Sequence, residues 1–109
     1  MNQNNKNLSS FFDQSGKNYD PPLEEMKELL LSYLTPEIIK DKTILDAGCG
    51  IGLSCLIFSG WGAKHIIGVD ISSESIQKAE LLKKKYNANN IEYLVSDLDK
   101  IDLLDKNFD

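Results

Sequence analysis

The sequence predicts an α/β domain built around a parallel sheet, and three observations predict it. Three short apolar runs, Thr43 to Ala47, His65 to Val69 and Ile91 to Val95, are separated by stretches with helical periodicity. Within each run the apolar residues are nearly continuous rather than alternating, as in a sheet covered on both faces. Three glycines in alternation, Gly48, Gly50 and Gly52, stand between the first run and the helical stretch after it. Strands alternating with helices in this order make two consecutive right-handed crossover units.

Taken in order, residues 1–18 are polar except for Leu8, Phe11 and Phe12, and read as a loose arm, ending near Asp20, with room for one helical turn. Asp20-Pro21-Pro22, with Glu24 and Glu25 just inside, predicts a helix start: a capping carboxylate, prolines with no amide to satisfy, and acids at the positive end of the dipole. Leu23, Met26, Leu30 and Tyr33 recur at helical spacing, and Thr35 closes the segment because a residue before proline is pushed out of the helical region. Leu53 to Ser59 reads as a short helix ended by Gly60. Ser72 to Tyr86 reads as a longer one, with Ile76, Ala79, Leu82 and Tyr86 on its apolar face and Lys83, Lys84 and Lys85 in the last turn, where the dipole favours cations. An acidic stretch with Asp97, Asp99, Asp102 and Asp105 follows the third strand.

A chain of 109 residues fits one domain, and no repeat or low-complexity linker divides residues 21–109. With 41% hydrophobic and 27% charged residues the composition is that of a soluble globular protein rather than a disordered or membrane-spanning one. No apolar run approaches the roughly 20 residues of a spanning helix. A net charge of -5 argues against a broad nucleic-acid surface, which needs clustered Lys and Arg. Met1 to Asn7 is rich in Asn and Gln with no apolar core after it, unlike a signal peptide, so a cytoplasmic protein is expected. Cys49 and Cys55 have no second pair or His nearby, which predicts neither a zinc site nor a disulfide framework. No metal is expected.

The glycines carry the chemistry because of where they stand. Positions without Cβ let a chain reverse tightly and press its backbone on a ligand, and the helix start that follows offers free N–H groups. A turn that binds nothing accounts for one such glycine more easily than for three. A dinucleotide fingerprint, Gly-x-Gly-x-x-Gly, would need its third glycine where Leu53 stands, which counts against NAD. Cys49 reads either as a small side chain needed beside a ligand or as a residue tolerated in a tight turn.

Asp70 ends the second run at the carboxyl edge, where open sheets bind ligands, and its carboxylate can accept both hydroxyls of a ribose. The competing reading, a helix cap, is weakened because Ser72 can cap by itself. Asp97 ends the third run on the same edge and can accept from an exocyclic amine, with Ile71 and Leu98 as flat apolar walls. Its competing reading is one more acid in a solvated turn. Together these residues describe a site for an adenosine carrying something other than a diphosphate.

Leu45-Asp46-Ala47-Gly48-Cys49-Gly50-Ile51-Gly52 closely resembles the first motif of class I S-adenosylmethionine-dependent methyltransferases, and the segment from Gly62 to Ser72, ending Gly68-Val69-Asp70-Ile71-Ser72, resembles their second. The similarity covers residues 11–109. It implies a Rossmann-like three-layer sandwich, of which these residues form the first three strands of a seven-stranded fold. It implies S-adenosylmethionine as cofactor, with Asp46 and the backbone of Gly48, Cys49 and Gly50 on the methionine part, Asp70 on the ribose hydroxyls, and Ile71, Ser96, Asp97 and Leu98 around the adenine. Tyr19, in the arm segment that folds over the cofactor in many small-molecule members, is a lid candidate; the alternative is an aromatic anchoring the arm. The implied reaction is methyl transfer to an acceptor, a small molecule by family type. A sulfonium donor is already activated and positioning lowers most of the barrier, so no catalytic side chain is assigned.

The similarity breaks off at Asn107-Phe108-Asp109, where the family's fourth strand, which pairs with the first, would open. The expectation is a fragment, or a chain completed by another, inactive alone and prone to self-association through the edge at Ile44 and Leu45. Two further readings stand beside it: a nicotinamide-dependent oxidoreductase half, and a cofactor-binding or interaction module without catalysis. His65 opens a strand far from the ligand edge and reads as a surface residue, and Trp61 reads as a cover for one end of the core.

Overall fold

The structure, a computed structural model, describes residues 20–97. In chain order it contains α1 (Leu23–Leu31), α2 (Pro36–Ile39), β1 (Thr43–Ala47), α3 (Leu53–Gly60), β2 (His65–Asp70), α4 (Ser73–Lys85) and β3 (Ile91–Val95). The expected arm and most of the expected acidic stretch lie outside the described residues.

The strands form a parallel sheet in the order β1-β2-β3. Register places Ile44, Ile66 and Ile91 in one row and Asp46, Gly68 and Tyr93 in the next. Because side chains alternate along a strand, both rows share a face. That face meets α3 and α4: Ile66, Ile91 and Tyr93 pack with Leu53, Cys55, Leu56, Phe58, Ile76, Ala79 and Leu82 in one core. Ile66 and Leu82 have no exposed surface, and burying each contributes about 1.5–3 kcal/mol. The opposite face carries the rows of Leu45 with Ile67 and Ala47 with Val69. The described residues therefore hold the sheet and one helical layer of the expected sandwich.

The helices show where local signals win and where packing overrides them. In α1, Glu24 and Glu25 occupy the first turn as expected, but Pro22, not Asp20, flanks the helix, and no side chain caps it. Asp20 therefore does not act as the cap; the Pro21 and Pro22 carbonyls take the Leu23 and Met26 amides at 2.8 and 3.1 Å. Leu23, Met26 and Leu30 pack on the core, yet Tyr33 is 76% exposed. The helix ends at Leu31, so the helical period no longer applies at Tyr33, and Leu34 turns inward in its place.

The second helix, α2, begins at Pro36 and buries Ile39; four residues are too few to show a period in the sequence. In α3, Gly60 is the last helical residue, and the left-handed position that stops the chain is Gly62, at φ 92°. Ser72 caps α4 by accepting from the Ser75 amide at 3.1 Å. Ile76, Ala79 and Leu82 are buried, but Tyr86 lies just past the helix and is 41% exposed.

Asn90 clasps the amino edge of the sheet. Its side chain donates to the Ala63 carbonyl at 2.8 Å and accepts from the Ser59 hydroxyl at 2.6 Å, and its carbonyl accepts from the Ile66 amide at 2.8 Å. Trp61 packs against the core at this end, its ring 6.1 Å from that of Phe58. His65 lies here too, half-exposed and 3.6 Å from the Glu92 carboxylate.

Candidate functional site

The carboxyl edge is built by the ends of all three strands. The Val69 carbonyl accepts from the amides of Gly48 and Cys49 at 2.7 and 2.9 Å, which pins the glycine loop to the end of β2. The Asp70 carbonyl accepts from the Ser96 amide at 3.0 Å and ties the end of β3 to the same place. Asp46, Gly48, Cys49, Gly50, Asp70, Ile71, Ser96 and Asp97 are thereby brought to one edge. Tyr19 and Leu98 lie outside the described residues.

Gly48 and Gly50 adopt φ of 68° and 57°, in the left-handed region that disfavours a side chain. A Cβ on either would meet nothing within 4 Å. These two positions thus face open space on the side a Cβ would occupy, while the amides of Gly48 and Gly50 are engaged by Val69 and Asp70. The Asp70 carboxylate binds the loop directly: Oδ2 accepts from the Gly50 amide and Oδ1 from the Ser72 amide, each at 2.9 Å. Each oxygen retains a second lone pair, so acceptor capacity remains. Ser72, not Asp70, caps α4. Next to it Ile71 is 73% exposed, an apolar side chain held out at the edge. Asp97 is exposed, and the Ser96 hydroxyl donates to its carbonyl at 3.0 Å.

Asp46 is oriented from α3. Its Oδ2 accepts from the Ser54 hydroxyl and from the Cys55 thiol, the latter at 3.2 Å. Cys55 is fully buried, and the Cys49 side chain together with burial pushes its thiol well above the ordinary value. The Cys55 thiol in turn holds Cys49 below that value. Both cysteines are free thiols.

The third glycine does a different job from the first two. A Cβ on Gly52, at φ 83°, would overlap the Tyr93 hydroxyl and lie 2.9 Å from Tyr93 Cζ. A Cβ on Gly68 would lie 2.7 Å from the same ring and 3.0 Å from Cys49 Sγ. Tyr93 therefore fills the space two missing side chains leave beneath the loop. Sequence reasoning grouped Gly52 with the ligand-facing glycines and missed Tyr93, Gly68 and Ser54. One signal was present: a lone glycine inside an apolar strand, as in Ile66-Ile67-Gly68-Val69, marks a close approach.

Among the described residues no group of three or more His, Cys, Asp or Glu could hold a metal ion, and no helix is long and apolar enough to cross a membrane.

A family of methyltransferase domains matches residues 38–109. Among curated relatives, protein arginine N-methyltransferase 1 of Saccharomyces cerevisiae is 37% identical over 67 residues, 62% of this chain and 19% of that protein. The ribosomal protein L11 methyltransferase of Clostridium perfringens is 32% identical over 81 residues, 74% of this chain and 25% of its own length. The chain thus spans a quarter or less of these relatives. Among solved structures, an S-adenosylmethionine-dependent methyltransferase from Mesorhizobium loti superposes with a TM-score of 0.56 at 28% identity, over 68% of this chain and 32% of that one.

Proposed function

Because the chain belongs to the family of methyltransferase domains, we propose that its carboxyl edge binds S-adenosylmethionine, as the cofactor-binding portion of an enzyme that transfers the donor's methyl group. The observation that carries the reading is the Gly50–Asp70 bond beside two left-handed glycines that face open space. This arrangement places side-chain-free space and a carboxylate with spare acceptor capacity on the same few residues.

The residues present fit the group. Gly48, Cys49 and Gly50 would border the methionine part, with open space at the two glycines and the Asp46 carboxylate as a counter-charge for a cationic ligand. Asp70 would accept from ribose hydroxyls, and exposed Ile71 would lie against the adenine with Ser96 and Asp97 beside it. When bound, the cofactor supplies a methyl group already activated on a sulfonium. The chain's part is to orient that donor, and no side chain at the edge is required to break a bond. The nicotinamide reading is disfavoured further: Leu53 is buried in the core, and the gap over Gly52 is filled by Tyr93.

The acceptor belongs to the whole protein. The family resemblance suggests a small molecule, whereas the names of the two relatives favour a protein acceptor, arginine in one and a ribosomal protein in the other. Calorimetric titration of the 109-residue chain with S-adenosylhomocysteine and with NAD tests the cofactor. Binding of the first and not the second is expected; tighter NAD binding overturns the reading. Transfer of labelled methyl by the full-length protein, to a peptide library against a panel of small amines and alcohols, separates the two acceptor classes.

A further inference from the structure

Tyr93 combines two observations that ordinary core packing does not explain together. The residue is 9% exposed, with its ring wedged under Gly52 and Gly68. Its hydroxyl, among the described residues, is a buried polar atom with no partner at hydrogen-bonding geometry, although burial raises the phenol and the Cys55 thiol stands close enough to add to that rise. A phenylalanine would fill the same two gaps without stranding a polar group, and a stranded buried hydroxyl is a cost that a native structure normally avoids.

The hydroxyl is also placed where a small movement of the site would be felt. It touches the position from which the Gly52 side chain would grow, and Gly52 is the joint between the glycine loop and α3. The Gly52 amide donates to the Cys49 carbonyl at 3.0 Å, and the Gly52 carbonyl accepts from the Leu56 amide at 3.0 Å. Asp46, whose carboxylate is a strong acceptor, is the register partner of Gly68, and Gly68 is that of Tyr93. A change in the position of the loop or of α3 would alter how near these acceptors stand to an O–H that lacks a well-formed bond. A ligand that binds more tightly to a loop position in which this bond is made shifts the chain toward that position, by no more than its differential affinity.

We propose that Tyr93 is a positioning residue for the glycine loop, its hydroxyl unpartnered in the empty chain and hydrogen-bonded once the loop is occupied. The inference rests on the proposed function, since it takes the loop to be the ligand site. It assigns the ring to the fold and the hydroxyl to binding.

Tyr93→Phe separates the two, and S-adenosylhomocysteine serves as the probe. In the free 109-residue chain the melting temperature of Tyr93→Phe should equal or exceed that of the parent, while affinity for the probe falls about three- to tenfold, the worth of one neutral hydrogen bond. Tyr93→Leu, which removes the ring as well, should lower both. If Tyr93→Phe lowers the free chain's melting temperature, the hydroxyl is bonded within the fold and the inference is wrong. Unchanged affinity in Tyr93→Phe, with the parent binding normally, also overturns it while leaving the proposed function standing. No binding by the parent overturns both.

Discussion

The Gly50 amide donates to Asp70 Oδ2 at 2.9 Å, joining the glycine loop after β1 to the residue that ends β2. The carboxylate proposed to receive the ribose is thus also the group that holds the loop, while its Oδ1 accepts from the Ser72 amide at the start of α4. Ligand recognition and loop shape share one side chain.

Replacing that side chain should damage binding more than folding. Asp70→Ala removes a charge-assisted acceptor worth about 1.5–3 kcal/mol and leaves the Gly50 amide without its partner. Affinity for S-adenosylhomocysteine should fall at least tenfold by calorimetry, with far-ultraviolet circular dichroism unchanged. Unaltered affinity in a folded variant would falsify the ribose assignment.

The alternating glycines should not respond alike to alanine. Gly48→Ala meets open space and carries only the left-handed backbone cost, about 1–2 kcal/mol. Gly52→Ala carries the same backbone cost plus a collision with Tyr93, adding about 1–3 kcal/mol of overpacking. Urea melts of both variants give the order directly. Equal losses would mean that Tyr93 moves aside without penalty.

Stability should decline in alkali through Tyr93. Burial is the main cause that raises its phenol above the ordinary value of 10.0, so above about pH 10 the unfolded chain loses a proton that the folded chain keeps. Fewer protons bound in the unfolded state means that stability falls as pH rises, by up to about 1.4 kcal/mol per pH unit for this group. Tyr93→Phe should show a shallower alkaline slope in thermal melts. An identical slope would place the effect in other groups, the Cys55 thiol first among them.

At the other edge, Asn90→Ala should cost about 1–3 kcal/mol by leaving Ser59 and the Ala63 carbonyl without a partner. Cofactor affinity should hold, since the clasp lies at the amino ends of the strands. Differential scanning calorimetry alongside titration checks both.

The strands were legible because their signal is local and repeated. Thr43–Ala47 and Ile91–Val95 match the apolar runs residue for residue, and His65–Asp70 extends its run by one. The placement of Gly48, Gly50 and Asp70 at the carboxyl edge was legible for a related reason, since each ends or closely follows a strand, whereas Asp46 came only with the family resemblance. What escaped notice depends on neighbours distant in sequence. Tyr93 reads as an ordinary apolar strand residue until register sets it opposite Gly68, and Gly52 looks ligand-facing until Tyr93 is seen beneath it. Asp20 and Tyr33 misled in the opposite direction: each carries a good local signal, and α1 begins after the one and ends before the other.

The layer beneath the loop bears on engineering. Gly52, Gly68, Tyr93 and Cys49 come from a loop and two strands, yet they occupy one shared volume. Grafting Gly48 to Gly52 onto another parallel sheet would transplant the backbone trace without the support under it. A recipient strand with any side chain in place of Gly68 would collide with Tyr93 and Cys49, and a small residue in place of Tyr93 would leave the loop over a void. The transferable unit is therefore discontinuous in sequence, and the four positions must be exchanged together.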